Sequence, residues 1–336
     1  MKTLLKIIVA VCTIAAAMSC NKVNTVEDKK YIDNDIVVAF EVPGLELEQL
    51  DTKVYDESKY SKRYFHWEES DALVLFSHDG STSGSGKNIS KLGRFEAVDV
   101  TNTKYGATSA KFVGTIAAGT SIYSKAYAIY PYNDNIAFNS AEATTSQGYK
   151  IYCTIPEVQT GNAVEHVFFA AKDIPITKDK NGIITGIGPF TTFILSTPIT
   201  LFKVKSSKDV VKIEIETENC KGWTGTASFR TNAGSVYDRG SSNKLTIMRG
   251  QETNLETLVP ANEETPLSYA ARQFEPLGTV GNVTYTESDI VINFKFIASD
   301  GSYCIRKWKP GKKQAAATVI NLGTIEVGSA ANPFIK

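Results

Sequence analysis

The sequence predicts an all-β protein of two tandem β-sandwich domains. Three observations carry this: β-branched and aromatic runs recur along the chain, clusters of Gly, Asn, Asp and Ser separate them, and helical periodicity is almost absent. A chain of 336 residues exceeds one small core. It suits about two domains.

The first strand is expected in DIVVAFEVPG, where Ile36, Val38, Phe40 and Val42 share one face at period two and Pro43 with Gly44 ends the run. DALVLFSHDG is apolar without alternation, as a strand buried on both faces would be, and leads into the flexible loop GSTSGSGKN. SIYSKAYAIYPYND is a further strand that stops at Pro131. TTFILSTPITLFKVK follows, and then DVVKIEIETE sets Val211, Ile213 and Ile215 against Lys212, Glu214 and Glu216. DIVINFKFIAS alternates in the same way. TPLSYAARQ reads as a modest helix. The charged turn TKDKNGIITG, around Asn181 and Gly182, is the expected boundary between an N-terminal domain, 35–182, and a C-terminal domain, 183–336.

The amino terminus adds a location. Lys2 and Lys6 flank the start of an apolar run from Leu4 to Met18, shorter than the about 20 residues of a membrane span, so 1–19 reads as a removed signal peptide. Ala17, Met18, Ser19 and Cys20 resemble a bacterial lipobox, with Met18 where Leu or Ala is usual. Cys20 is therefore expected to be lipidated and to tether the chain to a membrane. Polar, charged residues 20–34 would lift the folded part off the surface.

Charge is balanced, 36 basic against 36 acidic residues with no basic tract, which argues against nucleic acid as a partner. Cys153, Cys220 and Cys304 allow at most one disulfide and lack zinc spacing; they read as buried small hydrophobes. GSGKN lacks the glycine and the Ser or Thr that a phosphate loop requires, since Ser81 and Asn88 hold those places. Ser77, His78 and Asp79 are adjacent on a strand and cannot form a catalytic relay. His66, His78 and His166 are isolated, so no metal and no cofactor is expected. Glu68, Glu69 and Asp71 read as a solvated turn. Nothing in the sequence recommends an enzyme. Trp67, Trp223, Trp308 and the crowd Tyr123, Tyr127, Tyr130 and Tyr132 fit either a sandwich core or an exposed glycan-binding platform.

FHWEESDALVLFS, AYAIYPYN, IPEVQTG with Pro156 and Gln159, and FFAAKD occur in that order, with the lipobox before them and VINLGTIEV after them. Together they resemble the fimbrillin family of Bacteroidales, lipoprotein-derived pilus subunits and accessory proteins associated with cell adhesion. The resemblance covers nearly the whole mature chain. It implies two transthyretin-like β-sandwich domains and transport to the outer membrane as a lipoprotein. In polymerising subunits it also implies removal of an N-terminal strand by a trypsin-like protease, after which the vacated groove accepts a strand from the next subunit.

On that scheme Ile36, Val38, Phe40 and Val42 belong to the strand removed. Lys53 and Arg63 are the candidate processing residues; Lys53 stands where many family members carry Thr-Arg, and Arg63 is the first arginine of the chain. Val319, Ile320, Leu322, Ile325 and Val327 form the candidate donor strand, with Gly323 shifting the apolar phase as a bulge would. The reading preferred for the same segment is the closing strand of the second sandwich, with 328–336 as a free tail. The expected role is a structural or accessory pilus subunit whose partners are other subunits, the outer membrane and a host or bacterial surface ligand. The alternative is a carbohydrate-binding surface lipoprotein of a glycan-uptake system.

Overall fold

The computed structural model describes residues 36–43, 45–47, 63–65, 67, 69, 71–79, 88–103, 106–144, 148–190, 193–195, 197–231, 241–272, 274–310 and 319–336. Among these residues the regular structure is β-strand, apart from two single-turn 3-10 helices, so the chain is all-β.

An eight-stranded sheet dominates the first half. Its path runs Ile36–Pro43, Gly106–Ile116, Ile89–Thr103, Ala72–His78, Lys125–Tyr130, Phe169–Lys178 and Ile184–Ile187, with Ile194–Leu195 beside Phe169–Lys178. Ala72–His78 is central, buried at every position. Leu73 and Leu75 enter one apolar cluster with Phe95, Phe112 and Phe169, while Val74 and Phe76 enter another on the opposite face with Tyr127, Ile151 and Phe229. That two-sided burial is why the run is apolar without alternation. The second cluster lies against a three-stranded sheet of Gly225–Arg230, Gly148–Ile155 and Ala137–Thr144.

In the second half a six-stranded sheet faces a three-stranded one. Val210–Glu218 lies between Lys244–Gln251 and Val291–Ala298, and Val291–Ala298 between Val210–Glu218 and Tyr303–Trp308. Ile213, Ile215, Ile292, Phe294 and Phe296 point inward, as their period-two spacing dictates, and pack with Phe202, Val204, Leu267 and Tyr269 of the opposing sheet.

Three readings of the sequence are corrected. The segment read as a helix is the strand Glu264–Ala270, paired with Ile199–Ser206. Leu267 and Tyr269 face the second core at period two, and that burial overrides local helix propensity. The turn around Asn181 and Gly182 is the tip of a hairpin between Phe169–Lys178 and Ile184–Ile187, not a linker between domains. Strands also cross between the halves: Gly225–Arg230 pairs with Gly148–Ile155, and Val158–Gln159 runs parallel to Lys244–Gln251. Finally, 328–336 is not a free tail. Backbone hydrogen bonds of 2.8 Å join Tyr303 and Ile335 in both directions, and Phe334 packs against the second core beneath the Lys208 ammonium, 5.4 Å from its ring centre.

Candidate functional site

The first strand, Ile36–Pro43, sits at an end of the large sheet and pairs antiparallel over its whole length with Gly106–Ile116. Its other side lies against Ile184–Ile187, at the far end of the same path, without ladder hydrogen bonds. The sheet thus curls until its two ends meet, with the first strand in the seam. Val38, Phe40 and Val42 are buried, whereas Val37 is 71% exposed. The strand therefore obeys the alternation its sequence announces.

Phe40 is held by three rings. Its centroid is 5.1 Å from that of Phe95, 6.2 Å from Phe112 and 5.0 Å from Phe190, the last two stacked nearly parallel to it. Phe112 lies opposite Phe40 in the ladder, and Gly114 lies opposite Val38. A Cβ at Gly114 would stand 2.6 Å from the Phe95 ring and 2.4 Å from the Arg94 carbonyl oxygen, so glycine there lets Phe95 lie over the backbone and reach Phe40. Burial of the three inward side chains contributes about 5–9 kcal/mol gross, at about 1.5–3 kcal/mol each. Removing the strand would leave a slot with a strand on either side and a ring-sized hollow at its centre.

Past the first strand, Leu45–Leu47 pairs with Arg63–Phe65, placing Arg63 opposite Leu47. Trp67 then enters the same aromatic cluster edge-on, 5.0 Å from Phe112, 4.8 Å from Tyr130 and 6.1 Å from Phe193. It fixes the chain beyond any cut made upstream. Cys20 and Lys53 lie outside the described residues.

The last strand, Val319–Val327, runs parallel to Ile199–Ser206 at the edge of the small sheet. Its ladder passes from Leu201 opposite Asn321 to Lys203 opposite Thr324, so the last strand carries one extra residue at Gly323, where φ is +73°. The bulge expected from the apolar phase is there, and Asn321 Oδ1 accepts the Gly323 N–H at 2.8 Å. Ile320, Leu322 and Ile325 pack on the second core, Val319 on the first, and Val327 is buried. Glu264 accepts from both Lys203 Nζ, 2.7 Å, and Thr324 Oγ1, 3.2 Å. The Lys203 hydrogen bond is the main cause of its carboxyl lying below the ordinary range.

Trp67 and Trp223 are fully buried, and so is Tyr127. They are core residues and form no exposed platform. Tyr130 donates to Asp71 at 2.9 Å. Ser77 and His78 are both buried; Ser77 Oγ donates to the Ser121 carbonyl at 3.2 Å. Asp79 accepts from the Tyr149 hydroxyl at 3.1 Å and from the Asn88 amide. Cys153, Cys220 and Cys304 are free thiols buried in the cores, and burial pushes the Cys153 and Cys220 thiols up. No cluster of His, Cys, Asp and Glu among the described residues has metal-holding geometry. A shallow open cavity is lined by Thr160, Asn162, Glu165, Arg249 and Glu256, with Glu165 engaged by Thr160 Oγ1 at 2.7 Å and Asn162 Nδ2 at 3.1 Å.

Gln159 fastens the halves together. Its buried amide donates to the Ala270 carbonyl at 2.7 Å and to the Pro156 carbonyl at 3.0 Å, and its oxygen accepts the Ala270 N–H at 2.9 Å. Gln159→Leu strands these backbone groups without partners. We expect a loss of about 2–3 kcal/mol in urea unfolding. A change below about 0.5 kcal/mol would show that water replaces the amide.

The aromatic lining of the slot escaped the sequence reading. Phe95 and Phe112 stand at inward positions of GRFEA and AKFVG, and strand alternation could have found them; Phe190 is brought in by a return of the chain that no local signal announces.

The chain matches no protein-family model and no curated protein. Among solved structures it is similar to a proposed cell adhesion protein from Bacteroides uniformis, at 13% identity and a TM-score of 0.42 over 87% of this chain and 96% of that one. A second proposed cell adhesion protein, from Bacteroides ovatus, aligns at 12% identity and a TM-score of 0.40 over 82% and 90%. The tip fimbrial protein Mfa3 from Porphyromonas gingivalis, truncated at its C-terminus, aligns at 10% identity and a TM-score of 0.37 over 81% of each chain.

Proposed function

We propose that this chain is a non-enzymatic surface lipoprotein, anchored at first through Cys20 to the outer membrane, that serves as a structural or accessory subunit of a pilus and contributes to cell adhesion. Its two halves act as tandem transthyretin-like sandwiches joined by crossing strands. Assembly proceeds by strand exchange at the first strand. The observation that carries this reading is the placement of Ile36–Pro43: it follows the expected tether, pairs along one side only, and fills the seam of the large sheet with Val38, Phe40 and Val42. A detachable strand needs that arrangement, because leaving exposes both an unpaired edge and an apolar slot for a replacement. The order of motifs shared with fimbrillins points the same way.

We place processing after Lys53 rather than Arg63. Arg63 is engaged in the ladder with Leu47, and a protease binds its substrate as an unpaired extended strand. For the glycan-binding alternative, Trp67 and Trp223 are buried and supply no platform, whereas Tyr130, Tyr132 and Trp308 are only partly buried.

The test is the N-terminus of the protein recovered from the cell surface, by intact mass and terminal sequencing. A terminus just after Lys53 is the expected result. Acylated Cys20 on every surface copy would make the chain a permanent anchor and would remove strand exchange at this end.

A further inference from the structure

The seam that holds the first strand is selective, and its selectivity says what kind of chain can replace that strand. This inference rests on the strand-exchange reading above. The ladder with Gly106–Ile116 is unbroken from Ile36 to Pro43, with no bulge in either strand along that pairing. An incoming segment must therefore keep strict alternation across it. Its central inward residue must fill the hollow between Phe95, Phe112 and Phe190, which holds a ring with centroid distances of 5.0 to 6.2 Å. Two residues to one side the neighbour across the ladder is Gly114, covered by Phe95, and two residues to the other side it is Ala110. Aliphatic side chains of valine size match both positions.

The last strand of this chain meets none of these conditions. Drawn out flat, one of its faces reads Val319, Asn321, Gly323, Ile325, Val327 and the other Ile320, Leu322, Thr324, Glu326. Neither face has an aromatic residue, and neither carries three successive large apolar positions. The strand is also bulged at Gly323, and it is committed at home: Val327 is buried, its carbonyl accepts the Ser207 N–H at 3.2 Å, and the docked residues beyond it close over the second core.

We propose that the seam accepts a strand of aliphatic-x-aromatic-x-aliphatic pattern from a different protein, and that the last strand of a second copy of this chain does not supply it. The chain is then an acceptor for a heterologous subunit and does not form a homopolymer through its last strand.

The experiment uses the full chain with a sequence-specific protease site placed at Lys53, cut after folding so that the first strand is held only by its contacts. Three fluorescent peptides are then offered: residues 35–44, the same peptide with Phe40→Ala, and residues 318–328. The first is expected to exchange into the seam, the second to bind about 100-fold more weakly or worse, from the loss of a buried ring, and the third to stay out. Binding of the third as tightly as the first, or equal binding of the first two, would overturn the selectivity while leaving strand exchange standing. Failure of all three to enter would instead overturn the exchange reading and this inference with it.

Discussion

Phe40→Ala is expected to destabilise the folded chain by about 3–5 kcal/mol, the range for removing a buried phenylalanine from a close-packed core. The side chain is 6% exposed and fills a space that Phe95, Phe112 and Phe190 close from three directions. Those neighbours cannot collapse into the gap independently. Phe95 is held over Gly114, Phe112 is fixed in the ladder and edge-on to Trp67, and Phe190 stacks in turn on Phe193 at 6.1 Å. The matched control is Val37→Ala, on the same strand but pointing into solvent, where a change within about 0.5 kcal/mol is expected. Denaturant unfolding of both variants decides the matter, with hydrogen exchange at Gly106–Ile116 showing whether the edge opens before the rest. A loss below about 1 kcal/mol for Phe40→Ala would mean that the strand is not packed into the seam, and the detachable-strand reading would fall with it.

What the sequence discloses follows from how local each cause is. Val38, Phe40 and Val42 were legible because period two is a local signal. So was the central strand Ala72–His78, whose unbroken apolar run follows from burial on both faces. Even the bulge at Gly323 could be read from a one-residue slip in the apolar phase. TPLSYAARQ was misread because Ala270 and Ala271 favour helix locally, while the strand state of Glu264–Ala270 depends on Phe202 lying opposite Leu267, dozens of residues away in sequence. The turn at Asn181 and Gly182 has the composition of a linker and of a hairpin tip alike. Only the pairing of Ile176 with Ile187 separates the two. The docked tail depends on Tyr303 bridging Ile335, and the slot depends on Phe190 returning to Phe40; both are non-local contacts without a sequence signature. The candidate site was thus legible as a strand but not as the pocket that holds it.

The second large effect is on pH dependence, and it arises from His78. The residue is 1% exposed, and burial is the main cause that drives its imidazole down from the ordinary 6.5 to about 4; the Asp173 carboxylate opposes this, the Lys125 ammonium adds to it, and Asp79 opposes it. Lys125 lies opposite His78 in the ladder and is paired with Asp173 at 2.9 Å, so the charges nearest the ring largely offset one another and desolvation dominates. The unfolded chain takes up a proton at this site below about pH 6.5, whereas the folded chain does so only below about 4. Stability from His78 is therefore fully present above pH 6.5, is lost as pH falls through that window, and changes no further below it. The shift corresponds to about 3 kcal/mol across the window. Carboxylates held low by their partners, such as Asp173 and Glu214, lose their contribution near and below the ordinary carboxylate range, so the upper part of the fall isolates histidine. His166, half-buried and shifted the same way by desolvation, adds to it. Comparing urea unfolding of the unaltered chain and His78→Gln at pH 7 and pH 5 separates the two histidines. The unaltered chain should lose about 2 kcal/mol more over that interval than the variant, whatever the variant costs at pH 7. Parallel losses in the two proteins would show that the ring is hydrated in the folded state, and the dry centre assigned to this sheet would have to be abandoned.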